Sequence, residues 1–403
     1  MEWKEVRLGD VCTRVCSGGT PKSTNLSYYG GEIPWLNTKE IDFNRIYSTE
    51  KTITDSGLNN SSAKWIVPNT VTVAMYGATA GKSCIVKVPM TTNQACCNLT
   101  INDEVADYEF VYYSLKNDYT TLASLANGGA QQNLNAQIIK DYVLKMPSLA
   151  DQRRITSILS SLDRKIELNN KINADLEEMA QAIFKNWFVD FEPFKDGKFV
   201  DSELGMIPEG WKVGCLGDMG AVVCGKTPSK SNSNYYGGDI PFIKIPDMHG
   251  NVFVESSEDR LTELGSLSQI KKLIPPYSLM VSCIATVGLV SINTKPSHTN
   301  QQINTVIPHN KSALFYLYQY IKNNEELLKN MGRGGTTTLN VNTRSFSNIR
   351  LLIPSEIALE QFHRVVEGLF KKIELNLHES RTLSTLRDTL LPRLMSGEIE
   401  VPE

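Results

Sequence analysis

The chain is a tandem repeat, and this feature constrains its fold more than any other. Short strings from the first half return in the second half at a constant offset of 207 residues. The matched strings are Thr20-Pro21 with Thr227-Pro228, Tyr28-Tyr29-Gly30-Gly31 with Tyr235-Tyr236-Gly237-Gly238, Ile33-Pro34-Trp35 with Ile240-Pro241-Phe242, Thr92-Asn93-Gln94 with Thr299-Asn300-Gln301, and Pro147 with Pro354. We therefore expect two copies of one architecture along the 403 residues.

Each copy divides into a strand-rich part and a helical part. Before Pro147 and Pro354, short β-branched and aromatic runs alternate with Gly, Pro, Asn and Ser turns, which is typical of a mixed domain built largely on strands. One short helix is expected within 110–125 and another within 312–330. After each proline, Gly and Pro become scarce for about forty residues, and apolar residues fall at helical spacing.

The two helical segments carry a coiled-coil pattern. Steps of alternately four and three residues give ten seam positions in each segment, and eight of the ten are apolar in the first. The positions are Ile155, Leu159, Leu162, Ile166, Asn169, Asn173, Leu176, Ala180, Ile183 and Trp187 in the first copy, and Phe362, Val366, Leu369, Ile373, Asn376, Ser380, Leu383, Arg387, Leu390 and Leu394 in the second. Asn169, Asn173 and Asn376 are expected to fix the register at some cost in stability. The alternative is two ordinary amphipathic core helices in separate domains.

Antiparallel pairing of these helices defines the expected fold class. The expected fold is α+β, with two globular mixed α/β domains joined by a long antiparallel two-helix coiled coil and related by a pseudo-two-fold axis. A helix from Asp151 to Trp187 is roughly 55 Å long at about 1.5 Å per residue. Such a rod would hold the two globular domains apart by about one to one and a half turns of a DNA duplex.

Composition excludes several other classes of protein. No apolar run is long enough for a secretory signal or a membrane span, so a cytoplasmic protein is expected. The eight cysteines form no CxxC pair and the five histidines have no finger-like spacing, which favours reduced thiols and no metal site. The net charge of −3 argues against a polycationic DNA coat, so any basic DNA-binding surface must be a local patch.

Two longer strings resemble a known family. The run from Glu177 to Phe191 (EEMAQAIFKNWFVDF), the run from Leu386 to Ile399 (LRDTLLPRLMSGEI) and the tandem architecture are similar to the specificity subunits of type I restriction enzymes. The resemblance covers nearly the whole chain. It implies that each globular part is a target recognition domain that reads one half of a bipartite double-stranded DNA target, and that the helices form an antiparallel coiled coil.

The resemblance also implies partners and domain boundaries. Two methyltransferase subunits are expected to dock on the helices, and endonuclease/translocase subunits to join them, while no membrane partner is expected. S-adenosylmethionine, ATP and Mg are expected only on the partner subunits, so this chain would carry no cofactor and no active site. The implied divisions are recognition domains over 1–148 and 206–355, helical regions over 149–190 and 356–403 (the latter with a C-terminal tail), and a linker over 191–205.

Two strings resemble catalytic motifs but lack a required residue. Leu273-Ile274-Pro275-Pro276-Tyr277 resembles the signature of amino-methyltransferases, yet Ile274 has no carbonyl or carboxylate in its side chain to accept hydrogen bonds from a target amine. The stretch from Gly77 to Ser83 resembles a phosphate-binding loop, but it has one residue too few between its glycines. Neither methyl transfer nor ATP hydrolysis by this chain is therefore expected.

Candidate DNA contacts are polar, basic or aromatic side chains in three pairs of matched loops, where the side chains differ between the copies. In these loops they are Thr20, Lys22, Ser23, Asn37, Thr38, Lys39, Gln131, Gln132 and Asn133 in the first domain, and Thr227, Ser229, Lys230, Lys244, Arg333, Thr336 and Thr337 in the second. Tyr76 and Lys82 of the first domain are further candidates. Glutamine and asparagine can pair with adenine, and arginine with guanine, in the major groove. The glycines before Thr20 and Thr227 are expected to let the backbone approach phosphate closely. A solvated turn without a DNA partner is the alternative for each residue.

Two other functions remain open at this point. The first is a recognition subunit of a related, type IIB-like restriction system that cuts on both sides of its site. The second, favoured by the negative net charge, is a coiled-coil interaction scaffold that does not bind DNA.

Overall fold

The computed structural model describes residues 2–126, 133–333 and 339–402, and it contains two compact units. The first unit comprises Met1–Ile166 and Thr382–Glu403, and the second comprises Glu167–Arg381. Each unit therefore combines one β-rich domain with parts of both long helices. Because each unit has its own apolar core, we describe them separately.

The first unit is built from eleven strands and four short helices within its described residues. The strands are β1 Lys4–Arg7, β2 Cys12–Ser17, β3 Tyr29–Leu36, β4 Arg45–Ile46, β5 Thr52–Ile53, β6 Trp65–Ile66, β7 Val71–Ala74, β8 Ser83–Val86, β9 Met90–Thr92, β10 Cys96–Ile101 and β11 Val143–Met146. The helices are α1 Asp55–Asn59, α2 Tyr108–Asn117, α3 Tyr119–Ser124 and α4 Ala136–Asp141, and the long helix α5 Leu149–Phe188 begins in this unit.

The second unit repeats this plan within its own described residues. After α5, its strands are β12 Phe199–Val200, β13 Ile207–Pro208, β14 Lys212–Cys215, β15 Gly220–Cys224, β16 Tyr236–Ile243, β17 Phe253–Val254, β18 Arg260–Leu261, β19 Leu279–Ser282, β20 Val290–Asn293, β21 His298–Thr299, β22 Ile303–Pro308 and β23 Arg350–Ile353. The helices are α6 Leu216–Met219, α7 Ile245–Met248, α8 Glu263–Leu267, α9 Leu314–Asn323, α10 Glu325–Gly332, α11 Thr343–Ser347 and the long helix α12 Glu356–Met395.

The main sheets of the two units have the same topology. The first has the order β2-β10-β7-β8-β4 and the second has the matching order β15-β22-β19-β20-β17. In both, the last strand joins in parallel and the others are antiparallel. The central strands β7, β8, β19 and β20 are buried along their whole length, which suits their β-branched and small side chains. The two mixed α/β domains of the expected fold class are thus confirmed.

The repeat offset is not constant in the structure, contrary to the sequence analysis. Strand β19 starts 208 residues after β7, whereas β20 starts 207 residues after β8. The extra residue belongs to the Pro275-Pro276 pair. Asn69 and Tyr277, both in the left-handed region, occupy matching positions, and their N–H groups donate to Val86 and Asn293 oxygens over 2.7 Å. The turn geometry is therefore conserved although the sequence alignment slips by one residue.

The two long helices each span 40 residues and begin two residues after Pro147 and Pro354. In the second unit, the rings of Phe188 and Phe362 lie 4.9 Å apart, and Asn376 donates to Asn173 over 2.8 Å. In the first unit, Ile155 and Leu159 share a core with Leu391 and Leu394. Since early residues of one helix contact late residues of the other within each unit, the helices pair antiparallel, as the expected fold class requires.

Shorter segments also have definite structure. The helices expected within 110–125 and 312–330 are each two consecutive helices, interrupted at Asp118 and Asn324. Within the expected linker, Phe194 lies with its ring 4.8 Å from that of Trp211, so this stretch packs on the core of the second unit. The C-terminal tail packs Ile399 and Val401 on the core of the first unit.

Three general features complete the fold. All eight cysteines are free thiols. In the part of the chain that the structure describes, no helix is long and apolar enough to span a membrane. Over the same ranges, no three His, Cys, Asp or Glu side chains are grouped so that they could hold a metal ion.

Candidate nucleic-acid interface

The loop before Thr20 is packed tightly against its own domain. A Cβ on Gly18 would lie 2.2 Å from the Thr92 oxygen, and one on Gly19 would lie 2.1 Å from the Ala63 nitrogen. In the second unit, a Cβ on Gly225 would lie 2.1 Å from the Asn300 oxygen. The absence of a side chain at these glycines is therefore explained by packing within the domain, and the expected approach of their backbone to phosphate stays a prediction. Gly18 and Gly225 must lack a side chain to contact the Thr-Asn-Gln loop of their own domain, and Gly19 must lack one to contact Ser62 and Ala63.

The threonine that follows these glycines makes the same hydrogen bond in each domain, which the sequence alone does not reveal. The hydroxyl of Thr20 donates to Oε1 of Gln94, and the hydroxyl of Thr227 donates to Oε1 of Gln301 over 2.6 Å. Both glutamines are exposed. Because Oε1 accepts the threonine proton, the amide NH2 group of each glutamine can serve as a donor to a ligand. Only the recurrence of Thr-Asn-Gln in both copies could have indicated these two residues.

The loop after Thr20 is held in place by a tyrosine. Tyr29 donates from its hydroxyl to the Pro21 oxygen over 2.6 Å, and Tyr236 donates to Pro228 over 2.7 Å. The positions that follow, Lys22 with Ser23 and Ser229 with Lys230, are exposed in their respective domains. Each domain therefore presents one exposed lysine on a loop whose backbone is fixed, which suits a contact to phosphate.

The second predicted loop of the first domain lies beside the first. Asn93 donates from Nδ2 to Oδ1 of Asn37 over 3.2 Å, and Thr79 donates from its hydroxyl to the Thr38 oxygen over 2.9 Å. Lys39 is exposed. The Thr-Asn-Gln loop thus contacts both Thr20 and Asn37, and the structure brings the first two predicted loops together.

The corresponding loop of the second domain has different chemistry. The Lys244 N–H donates to Oδ2 of Asp247 over 2.8 Å, while the Lys244 ammonium pairs with the Asp259 carboxylate and lies 5.9 Å from the centre of the Phe242 ring. In the first domain, Lys82 pairs similarly with Asp42 over 2.6 Å. These two lysines are therefore engaged with carboxylates, and each would have to exchange that partner to contact a phosphate.

The third pair of loops is only partly described. Tyr76 is 41% exposed and pairs with Asn133 in a short antiparallel bridge, and Ile284 pairs with Asn340 in the same way in the second domain. Arg333 lies just after α10 and donates to Oδ1 of Asn330 over 2.7 Å. The remaining predicted contacts in these loops, Gln131, Gln132, Thr336 and Thr337, lie outside the described residues.

The two catalytic look-alikes have structural roles. Ile274 is fully buried and exchanges two backbone hydrogen bonds with Ser297, so the Pro-Pro-Tyr segment is the turn that leads into β19. In the other string, residues Gly77–Thr79 form a single 3-10 turn, in which Gly77 has a φ of +81°. The Gly77 segment connects β7 to β8 of the main sheet, and the Pro-Pro-Tyr segment precedes β19 of the other main sheet.

Comparison with known proteins shows the same repeat. The family model described as "Type I restriction modification DNA specificity domain" matches residues 1–178 and again residues 208–383. The Type I restriction enzyme HindI specificity subunit of Haemophilus influenzae is 38% identical over 354 residues, which cover 72% of this chain and 77% of that protein. The Type I restriction enzyme MjaIX specificity subunit of Methanocaldococcus jannaschii is 30% identical over 416 aligned residues, which cover 100% of this chain and 94% of that protein.

A solved structure supports the fold. The crystal structure of the type I restriction-modification S subunit from M. genitalium superposes with a TM-score of 0.61 at 15% identity, over 100% of this chain and 97% of that one. At this level of identity the similarity concerns the fold alone.

Proposed function

This chain belongs to the type I restriction-modification DNA specificity family, and we propose that it selects the target of such a complex without carrying out chemistry itself. Each β-rich domain would read one half of a bipartite double-stranded DNA sequence. The observation that supports this most is the pair of main sheets with the same topology, which carry different loop side chains. Two matched scaffolds with different side chains suit two different half-sites.

The matched loops suggest which residues contact the DNA backbone in both half-sites and which residues distinguish one base sequence from another. The Thr20–Gln94 and Thr227–Gln301 pairs are the same in both domains, so their contacts should be common to both half-sites. We assign them, with Lys22 and Lys230, to the sugar-phosphate backbone, which positions a protein without specifying sequence. Asn37 and Thr38 differ from their counterparts in the second domain, and we assign them to base edges in the major groove.

The paired long helices would set the spacing between the half-sites and dock two methyltransferase subunits. The antiparallel seam supports a rigid spacer, since polar Asn pairs at buried seam positions oppose slippage of one helix along the other. Endonuclease/translocase subunits would join the complex through the methyltransferases. S-adenosylmethionine, ATP and Mg would be bound by these partners, and the assembly would act in the cytoplasm.

Sequencing of DNA modification in a host with and without the gene tests this proposal. The partner subunits should be present in both strains, and we expect a bipartite methylated motif only when the gene is present. The variant Asn37→Ala with Thr38→Ala should change one half of the motif and leave the other half and the spacer intact. An unchanged methylation pattern on gene removal would contradict the proposal.

The same complex distinguishes the two other functions. A type IIB-like subunit would direct cleavage on both sides of the recognised sequence, which mapping of the cut positions would detect. A scaffold without DNA binding would give an assembled complex with no preference among DNA sequences in a competition binding assay. Methyl transfer by the purified chain alone would contradict the assignment of the chemistry to partner subunits.

A further inference from the structure

In one region of the repeat, the two units have cores of opposite chemistry. Where the first unit buries a network of charged side chains, the second buries an aromatic cluster. Four positions of the repeat differ in this way. They are Arg45 against Phe253, Glu109 against Phe315, Asp163 against Phe370, and Arg387 against Ala180. In each case the two residues lie at matching points of matching elements.

The charged network of the first unit centres on Asp163. Its two carboxylate oxygens accept hydrogen bonds from Arg387 over 2.7 Å and from the hydroxyl of Tyr113 over 2.5 Å. Arg45 lies 3.6 Å from Asp163 and 3.1 Å from Glu109. The Arg45 and Asp163 side chains are only 3% and 8% exposed. The network therefore compensates buried charges that would be costly alone.

The network joins residues from both copies of the repeat. Asp163 lies on α5 of the first copy, and Arg387 lies on α12 of the second. Burial by itself lowers the pKa of Arg387, but the bonds and charges of Asp388 and Asp163 outweigh it and raise that pKa above its usual range. Arg387 is therefore charged at all relevant pH values and requires an anion opposite it.

The matching site of the second unit is mainly aromatic and carries no charged side chain at the four positions, although buried Gln319 stands where the first unit has Tyr113. The Phe315 and Phe370 rings stack with centroids 4.1 Å apart, and Phe253 lies edge-on to Phe370 at 6.3 Å. Ala180 belongs to the same buried core. This site also joins the two copies, since Ala180 lies on α5 and Phe370 on α12. At the position that matches Arg387, this core therefore contains a small apolar side chain.

The charged network and the aromatic cluster can both form only when α5 pairs with α12. If α5 paired with a second α5, both Asp163 residues would face Ala180 and lose Arg387. If α12 paired with a second α12, both Arg387 residues would face Phe370 and lose Asp163. Each like pairing would bury uncompensated charge at two symmetric places, which is strongly unfavourable.

We propose that these four positions determine which helix pairs with which, so that each assembly contains one domain of each kind. The partner that fits the surface of α5 is α12 of the same chain. This selection goes beyond the proposed reading of DNA and does not depend on it. Its consequence is that the copies of the repeat cannot be replaced by two identical copies.

A cleavable form of the full chain tests the proposal. A protease site is inserted in the exposed turn Asp196-Gly197-Lys198, and the folded protein is cut there. The cut protein is unfolded in urea and refolded by dilution, and native mass spectrometry counts the pairs formed by the N-terminal and C-terminal segments. A like pair contains two identical segments, and an unlike pair contains one N-terminal and one C-terminal segment. For the wild type we expect unlike pairs to exceed like pairs by at least about 100-fold.

Two variants reverse the selection in opposite directions. Arg387→Ala gives a C-terminal segment whose α12 carries alanine at the position that Ala180 holds on α5, so pairs of two C-terminal segments should appear. Ala180→Arg should instead allow pairs of N-terminal segments, because Asp163 then meets an arginine. The control is Arg364→Ala, an exposed position on α12 that should leave the wild-type distribution unchanged.

Several outcomes would overturn the proposal. Abundant like pairs in the wild type would show that the charged network does not determine which helix pairs with which. Absence of C-terminal pairs in Arg387→Ala, together with absence of N-terminal pairs in Ala180→Arg, would show that other contacts choose the partner. Failure of the wild-type segments to form pairs after refolding, while the uncut chain refolds, would show that the helix surfaces alone do not recognise each other.

Discussion

Asn376 donates a hydrogen bond from its side-chain Nδ2 to Oδ1 of Asn173 over 2.8 Å, and both side chains are buried between the long helices. Close by, the Asn169 amide donates to Glu379 over 2.9 Å and to Ser380 over 3.2 Å. The other amide atom of each asparagine has no hydrogen-bond partner among the described residues. These asparagines therefore favour one register at a cost in stability.

Replacing Asn169, Asn173 and Asn376 together by leucine should raise the midpoint of thermal unfolding. The substitution removes buried amide atoms without partners and extends the apolar seam. It should also remove the preference for one register. Spin labels at Asp175 and Lys371, both exposed, would then give a broadened distance distribution.

The control for this triple variant is Ala174→Leu at an exposed position of α5, which should change neither the midpoint nor the distance distribution. A triple variant less stable than the wild type would mean that the asparagine bonds stabilise the pair by more than their burial costs.

Removal of Asp163 should destabilise the first unit strongly. Asp163→Ala leaves Arg387 and Arg45 without their shared partner, and we expect the free energy of unfolding to fall by about 3–5 kcal/mol. Urea denaturation measures this loss. Asp388→Ala is the matched control, because Asp388 also binds Arg387 but is exposed, and its loss should cost about 1 kcal/mol or less.

The double variant Asp163→Ala with Arg387→Ala should recover part of that loss, since it removes one of the stranded charges. A double variant whose loss equals the sum of the two single losses would show that the two residues are not coupled.

His298 should make the second unit sensitive to acid. Burial lowers the pKa of His298 from 6.5 to about 4, and the ring bonds the Ser266 hydroxyl over 2.8 Å. Because the unfolded state binds the proton more readily, the contribution of this group to the free energy of unfolding is fully present above about pH 6.5 and is lost as the pH falls toward 4. The loss from this group should approach about 3 kcal/mol.

The variant His298→Thr tests this, since Thr91 occupies the matching position in the first domain. Unfolding by urea at a series of pH values should show a shallower dependence between pH 6.5 and 4 in the variant. An identical dependence in both proteins would assign the acid sensitivity to other groups.

The exposed lysines of the first loop should increase the affinity for DNA without changing the preference for any DNA sequence. Lys22→Ala or Lys230→Ala should weaken binding of the assembled complex to all DNA sequences. Each should also reduce the slope of log affinity against log salt concentration by the amount expected for about one phosphate contact. Binding measured over a series of salt concentrations gives this slope. Lys195→Ala, in the connecting segment, should leave the slope unchanged, whereas altered preference for one base would refute the phosphate assignment of Lys22 and Lys230.

Gln94 and Gln301 should contribute equally to binding if they make a shared contact. We expect Gln94→Ala and Gln301→Ala to weaken DNA binding similarly, and Gln94→Glu to weaken it more, because a carboxylate repels phosphate. Competition binding with targets altered in either half-site measures both effects. A Gln94→Ala variant that loses only the preference for one base would show that Gln94 reads sequence.

Much of the architecture follows from the sequence by itself. The repeat determines two copies of one domain, and the apolar spacing after Pro147 and Pro354 determines two long helices with asparagines at the seam. These features can be predicted because helical periodicity and the repeat are properties of neighbouring or regularly spaced residues, and they do not require knowledge of distant contacts.

Other features were decided only by the tertiary structure. Thr20 and Gln94 are 74 residues apart in the sequence, and Asp163 and Arg387 are 224 apart, so no local pattern indicates that they bond. The same holds for Gly18, whose role is set by the Thr92 backbone behind it. The heptad pattern predicts a seam position for Arg387 but does not indicate its partner. A buried charge is tolerated only where folding brings an opposite charge to it, and that juxtaposition depends on the packing of the whole unit.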